Sequence, residues 1–122
     1  MTDEEIKQSI VHLQADIHKQ NILAGWWDGP LFLNDRVPEK LCLIHSEVSE
    51  AMEGHRKDLM DDKLPTRKMI EVELADALIR ILDLGGALNL DIAGAVFEKR
   101  AYNAKRLDHK KEHRNAVGGK KY

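Results

Sequence analysis

Four acids in this chain have the residue types and spacing to hold a cation: Glu47 and Glu50, then, after twenty-two intervening residues, Glu73 and Asp76. Residues three apart on a helix share a face, so Glu47-x-x-Glu50 and Glu73-x-x-Asp76 each aim two carboxylates the same way if their segments are helical. Four carboxylates brought to one partly buried spot repel one another and lose hydration, and a divalent cation relieves both costs. An all-oxygen ligand set favours magnesium, with manganese as a substitute, over zinc. A single acidic pair at this spacing is ordinary on a solvated helix. Two pairs, one helix-turn-helix length apart and each beside an apolar stripe, are harder to assign to solvation alone.

The elements that must position these acids follow from apolar periodicity. Leu41, Ile44, Val48 and Met52 form one stripe, with Leu43, Glu47, Glu50 and Gly54 beside it. Ile70, Leu74, Ala77, Ile81 and Leu84 are the expected core of the next segment, with Met69, Glu73, Asp76 and Arg80 beside them. The acids are thus predicted at the edge of the buried face, and antiparallel packing of the two helices would converge all four. Asn34 or Asp35 is the expected cap of the first of these helices, with Pro38 in its opening turn, and Thr66 the expected cap of the second. Between them, residues 58–65 read as a polar connection. Gly85 and Gly86 either loosen the end of the second helix or permit close backbone packing.

Ahead of this pair, Thr2 and Glu5 have the form of a capping box, and Ile6, Ile10, Leu13 and Ile17 step along one helical face over about residues 3–22. Gln14, His18 and Asn21 flank that face, where they either line a pocket or face water. The pattern stops from Ala24 to Asn34, a loop marked by Gly25, Gly29 and Pro30 that carries Trp26 and Trp27. Adjacent tryptophans on a loop cannot easily both be core. One is expected to pack inward and the other to offer a flat face suited to stacking on a nucleobase, the alternative being that both clamp the loop onto the bundle.

After Asn89 or Asp91 as cap, a fourth helix carries Lys99, Asn103 and Arg106 at i, i+4 and i+7. Two cations and an amide on one face are what a phosphate chain would want opposite a metal site, although basic residues near a helix C-terminus also serve as ordinary dipole partners. Arg80, one turn after Asp76, is expected to bridge to the acids rather than to a ligand.

The bulk composition bounds the rest. The chain has 122 residues, 43% hydrophobic and 33% charged with three prolines, as expected of one globular, helix-rich domain that would gain from oligomerisation. A single domain is expected over residues 1–107, followed by a charged, apolar-poor tail over 108–122. The formal net charge of −2 argues against a nucleic-acid polymer as partner. The lone Cys42 fits a reducing, cytoplasmic setting, and neither a secretory signal nor a membrane span is expected. His109 and His113, at i and i+4, lack a third ligand nearby and read as part of the solvated tail.

Taken together, Glu47-x-x-Glu50, Glu73-x-x-Asp76 and Lys99-x-x-x-Asn103-x-x-Arg106, with the surrounding residues 44–51 and 73–80, resemble the all-α nucleoside triphosphate pyrophosphohydrolases, in particular their single-domain MazG-like branch. The resemblance covers roughly residues 37–107 and implies a four-to-five-helix bundle assembled as a homodimer or homotetramer. It further implies a magnesium enzyme that cleaves a nucleoside triphosphate between its α- and β-phosphates. By position, Glu47, Glu50, Glu73 and Asp76 would be the metal ligands, Glu50 would also orient or deprotonate the attacking water, and Lys99, Asn103 and Arg106 would hold the phosphate chain. Trp26 and Trp27 lie outside the shared motifs, and their role at the base is inferred from the residues alone.

Two other classes compete. A carboxylate-bridged di-iron bundle needs a Glu-x-x-His pair on each of two helices, whereas the third positions here are Glu50 and Asp76. A non-catalytic helical interaction module with a cation-binding acidic cluster is the other, and the two cations downstream of the acids weigh against it.

Overall fold

A computed structural model describes residues 1–122, apart from the side chain of Leu107. The chain is all-helical, with no strand among the described residues: α1 (Asp3–Leu23), α2 (Leu33–Arg56), α3 (Met69–Ala87), α4 (Ile92–Lys105), a 3₁₀ turn over Leu107–His109 and α5 (Lys111–Arg114). It divides into two compact units, residues 12–90 and a second made of residues 1–11 with 91–122. Among the described residues no helix is long and apolar enough to cross a membrane.

Within residues 12–90, α2 and α3 pack antiparallel, since Gly54 near the end of α2 meets Met69 at the start of α3 while Glu47 lies against Arg80. The approach is close. A Cβ on Gly54 would come within 2.8 Å of Met69 Cβ, nearer than real side chains tolerate. Small residues line the seam, with Ala51 and Gly54 buried on α2 and Ala77 on α3. The end of α1 runs antiparallel to the end of α3: Gln14 Nε2 donates to the Leu90 carbonyl at 2.9 Å, and a Cβ on Gly86 would meet His18 Cβ at 2.6 Å. Of the two roles open to the glycine pair of α3, Gly86 therefore serves close packing.

The seam turns the helices in a way the apolar stripes did not predict. Leu41, Val48 and Met52 on α2, and Leu74 and Ile81 on α3, are exposed, while Glu47 and Glu73 are buried. Close approach selects the stripe of small residues, and in α2 and α3 that stripe also carries the acids. Likewise on α1, Ile10, Gln14, Ile17, His18 and Asn21 are half-buried, whereas Ile6 and Leu13 are exposed.

The caps agree in part. Thr2 and Glu5 form the expected reciprocal box, Glu5 N donating to Thr2 Oγ1 at 3.1 Å and Thr2 N to Glu5 Oε2 at 2.9 Å. Asp91 caps α4, accepting from Gly94 N at 2.8 Å. In contrast, α2 begins earlier than expected, with Phe32 at its cap position and Pro38 inside the helix, and neither Asn34 nor Asp35 caps it. Nor does Thr66 cap α3, because Lys68 holds that position and Thr66 lies in a turn. The connection is organised instead by buried Asp61, whose Oδ2 accepts from Lys63 N at 3.0 Å and Leu64 N at 2.7 Å while its own N–H donates to the Arg67 carbonyl at 2.9 Å. In the other unit the expected tail contains the 3₁₀ turn and α5, and Asp108 joins Arg106 to Lys120.

Candidate metal centre and its cavity

Antiparallel packing of α2 on α3 places Glu47, Glu73 and Asp76 so that one carboxylate oxygen from each lies within 4.8 Å of the others, a group able to hold a metal ion. Glu47 and Glu73 are buried and Asp76 is half-buried. Glu50, one turn along α2, is exposed and lies outside this tight group.

The electrostatics of the group are unbalanced. Burial, followed by the adjoining Glu47 carboxylate and the charge of Glu50, pushes Glu73 up to about 8. Burial and the Glu47 charge also raise Asp76, with Arg80 opposing them. Arg80 Nε donates to Glu47 Oε1 at 2.9 Å and is the cation paired with the group. Glu73 Oε2 is buried and has no hydrogen-bond partner. A buried, unpaired acceptor among like charges is costly, and a hard cation is the species that matches an all-oxygen donor set of this kind.

Glu47 and Asp76 also border a cavity of about 450 Å³, lined further by Asn21, Trp26, Arg36, Lys40 and Asp83. Arg36, Lys40, Leu43 and Glu47 follow one another at i, i+4, i+7 and i+11, so one face of α2 delivers two cations and then an acid to this wall. The loop tryptophans divide as expected. Trp26 is 65% exposed and lines the cavity, while Trp27 turns inward and its indole N–H donates to both oxygens of Asp83 at 3.0 and 3.2 Å. The Lys40 ammonium lies 4.6 Å and the Arg36 guanidinium 5.4 Å from the Trp27 ring centre. Of the flanking residues on α1, Asn21 lines the cavity, His18 Nδ1 contacts Asp83 Oδ1 at 2.8 Å, and Gln14 is used in helix packing.

Sequence reasoning missed Asp83, Arg36 and Lys40. Asp83 follows Asp76 by seven residues, and the two basic residues precede Glu47 by eleven and seven, spacings that keep a helical face. That extension of the acid stripes in both directions was the available signal. Lys99, Asn103 and Arg106 belong to the other unit. There Lys99 lies over the Tyr102 ring at 4.6 Å, Asn103 Oδ1 is buried without a partner, and Arg106 forms a two-point pair with Asp108. The hydrogen bond from Lys120 and the Arg106 pair hold Asp108 down to about 2.

No family model, no curated protein and no solved structure matches the chain.

Proposed function

We propose that this chain is a magnesium-dependent nucleoside triphosphate pyrophosphohydrolase of the MazG-like kind, releasing a nucleoside monophosphate and pyrophosphate. The observation that carries the reading is the buried, unpartnered Glu73 Oε2 within a three-carboxylate group beside a cavity whose wall carries Arg36, Lys40 and Arg80 among its acids. Glu47, Glu73 and Asp76 would hold magnesium, with Glu50 one turn along α2. Manganese, which takes the same oxygen ligands, is the natural substitute. Bound there, the ion would supply charge neutralisation of the phosphates and a lowered pKa for water.

The chain's own residues supply the rest. Glu50 is exposed one turn along α2 from Glu47, and as general base it would take the proton of the attacking water. The water oxygen then bonds to the α-phosphorus, the bond from that phosphorus to the bridging oxygen breaks, and pyrophosphate leaves with the electron pair. Lys99, Asn103 and Arg106 are assigned to the phosphate chain on their sequence pattern. Arg106 would exchange Asp108 for phosphate, and the Asn103 side-chain N–H₂ would donate to a phosphate oxygen. Trp26 offers the stacking face, while Trp27 supports the wall.

A homo-oligomer completes the reading. Leu41, Val48 and Met52 on α2 and Leu74, Leu78 and Ile81 on α3 expose two apolar stripes on the helices that carry the acids, and a second copy would bury them.

The test is pyrophosphate release from a panel of nucleoside triphosphates with and without magnesium, with products separated by chromatography. Magnesium-dependent monophosphate and pyrophosphate are expected. A folded, magnesium-binding protein that turns over no member of the panel would refute the enzyme and leave the non-catalytic cation-binding module.

A further inference from the structure

We propose that Asp83 reads the base, so that the cavity takes nucleotides whose base presents an exocyclic amino group beside a ring nitrogen, as cytosine and adenine do, in preference to their keto counterparts uracil and hypoxanthine. The inference rests on the nucleotide reading above and specifies the chemistry of the base.

Asp83 borders the cavity, as Asp76 does, seven residues further along α3. Seven residues on a helix return to nearly the same face after about 10.5 Å of rise. A ligand anchored by its phosphates near Asp76 would therefore extend its other end along this face toward Asp83. Asp83 is only 5% exposed, and a carboxylate so buried requires hydrogen-bond donors. Two are built in. The Trp27 indole N–H can only donate, and it spans both oxygens, while His18 Nδ1 reaches Oδ1. Each donor is itself fixed. His18 is pressed against Gly86 and meets the Trp27 ring edge-on at 5.6 Å between centroids, and Trp27 carries Lys40 and Arg36 against its ring.

This arrangement leaves the acceptor capacity unevenly used. Oδ1 takes both the His18 contact and the shorter Trp27 contact, whereas Oδ2 takes only the longer one at 3.2 Å. A carboxylate oxygen has room for about two donors, so Oδ2 can accept one more. An amino group supplies that donor, and pairing of a carboxylate with the cytosine amino group is a standard base contact. A keto oxygen in the same place would set acceptor against acceptor and gain nothing. Asn21, also on the wall, presents both a donor and an acceptor and suits the adjoining ring nitrogen or carbonyl. Trp26 offers the stacking surface that any base would use, so it adds affinity without selecting among bases.

Matched pairs separate the amino group from everything else. Binding of dCMP against dUMP, and of dAMP against dIMP, is measured on the magnesium-free wild-type protein by calorimetry and by quenching of tryptophan emission. The amino member is expected to bind about 10- to 100-fold more tightly in at least one pair, and the pair that discriminates tells a pyrimidine pocket from a purine one. Equal binding, or tighter binding of the keto member in both pairs, overturns the proposal. If the monophosphates bind too weakly to compare, kcat/KM for the same pairs as triphosphates with magnesium decides on the same criterion. Hydrolysis without discrimination would remove the base assignment and leave the enzyme standing, whereas neither binding nor hydrolysis would remove both. In Asp83→Asn the amide oxygen keeps Trp27 and His18 while its N–H₂ faces the ligand, so the preference should reverse toward the keto bases. Circular dichroism checks that variant's fold, and the wild-type pairs remain decisive if it fails to fold.

Discussion

Asp76 and Asp83 sit on one face of α3, yet their surroundings are opposites. Around Asp76 the partners are mostly other acids: Glu47 and Glu73 lie within reach, Arg80 is the paired cation, and Glu73 Oε2 has no donor. Around Asp83 every contact is a nitrogen, from Trp27 and His18. The first neighbourhood is short of positive charge and is able to hold a cation. The second is held in place from within, with one acceptor position on Oδ2 still open. Two acids of one helix thus differ chiefly in the balance of donors around each.

The largest effect expected from breaking this comparison is at Glu50, the proposed general base. Glu50→Gln should lower kcat by about 10²- to 10⁴-fold as a general base is lost, with the helical circular dichroism spectrum unchanged. A rate within a factor of a few of wild type would take Glu50 out of the mechanism.

The imbalance itself has a pH signature. Glu73 is raised to about 8 in the fold from an ordinary value of 4.5. The folded state therefore holds a proton that the unfolded chain releases, and the associated stability is full below about pH 4.5 and is lost as pH climbs toward 8. The metal-free protein should show a falling Tm across that window, with magnesium restoring Tm at the alkaline end. Glu73→Gln should flatten the decline and abolish the magnesium-induced rise. A metal-free Tm that climbs over the same range would contradict the clustering of the acids.

The smallest expected change sharpens the other side of the comparison. Trp27→Phe removes the indole donor but keeps an aromatic ring, leaving Asp83 buried with one partner fewer. It should destabilise the fold by about 1–3 kcal/mol, measured by urea denaturation at fixed pH. A loss much smaller than this would mean that water replaces the indole freely, and Asp83 would not then be a rigid acceptor.

Much of this was legible in the sequence. The helices, three of the four grouped acids, the Thr2–Glu5 box and Asp91 as one of two cap candidates follow from local spacing and chemistry, whereas the sequence left open whether both tryptophans clamp the loop and which of them turns inward. The face each helix buries does not follow from local spacing, because apolar patterning weights large side chains such as Leu41 and Leu74, whereas the seam is set by close approach at Gly54, Ala51 and Ala77. The start of α3 was misplaced for a related reason. Thr66 has a capping side chain, but the buried Asp61 closes residues 61–67 into a turn that leaves Thr66 outside the helix. No local signal announces the partners of Asp83, which are 56 and 65 residues away in the chain.

The Asp61 turn bears on which changes of length the chain can absorb. Asp61 N and the Arg67 carbonyl join the two ends of the turn, and Met69 N reaches the Leu59 carbonyl just beyond it. Residues added between 64 and 66 would enlarge the loop beyond the Asp61 contacts to Lys63 and Leu64 while leaving the Asp61–Arg67 and Met69–Leu59 links in place. One residue added in α2 between Glu50 and Arg56 would instead rotate Glu47 by about 100° relative to the seam and carry it away from Glu73 and Asp76. The number of residues separating the two acid pairs is thus free to drift at the loop tip and fixed everywhere else.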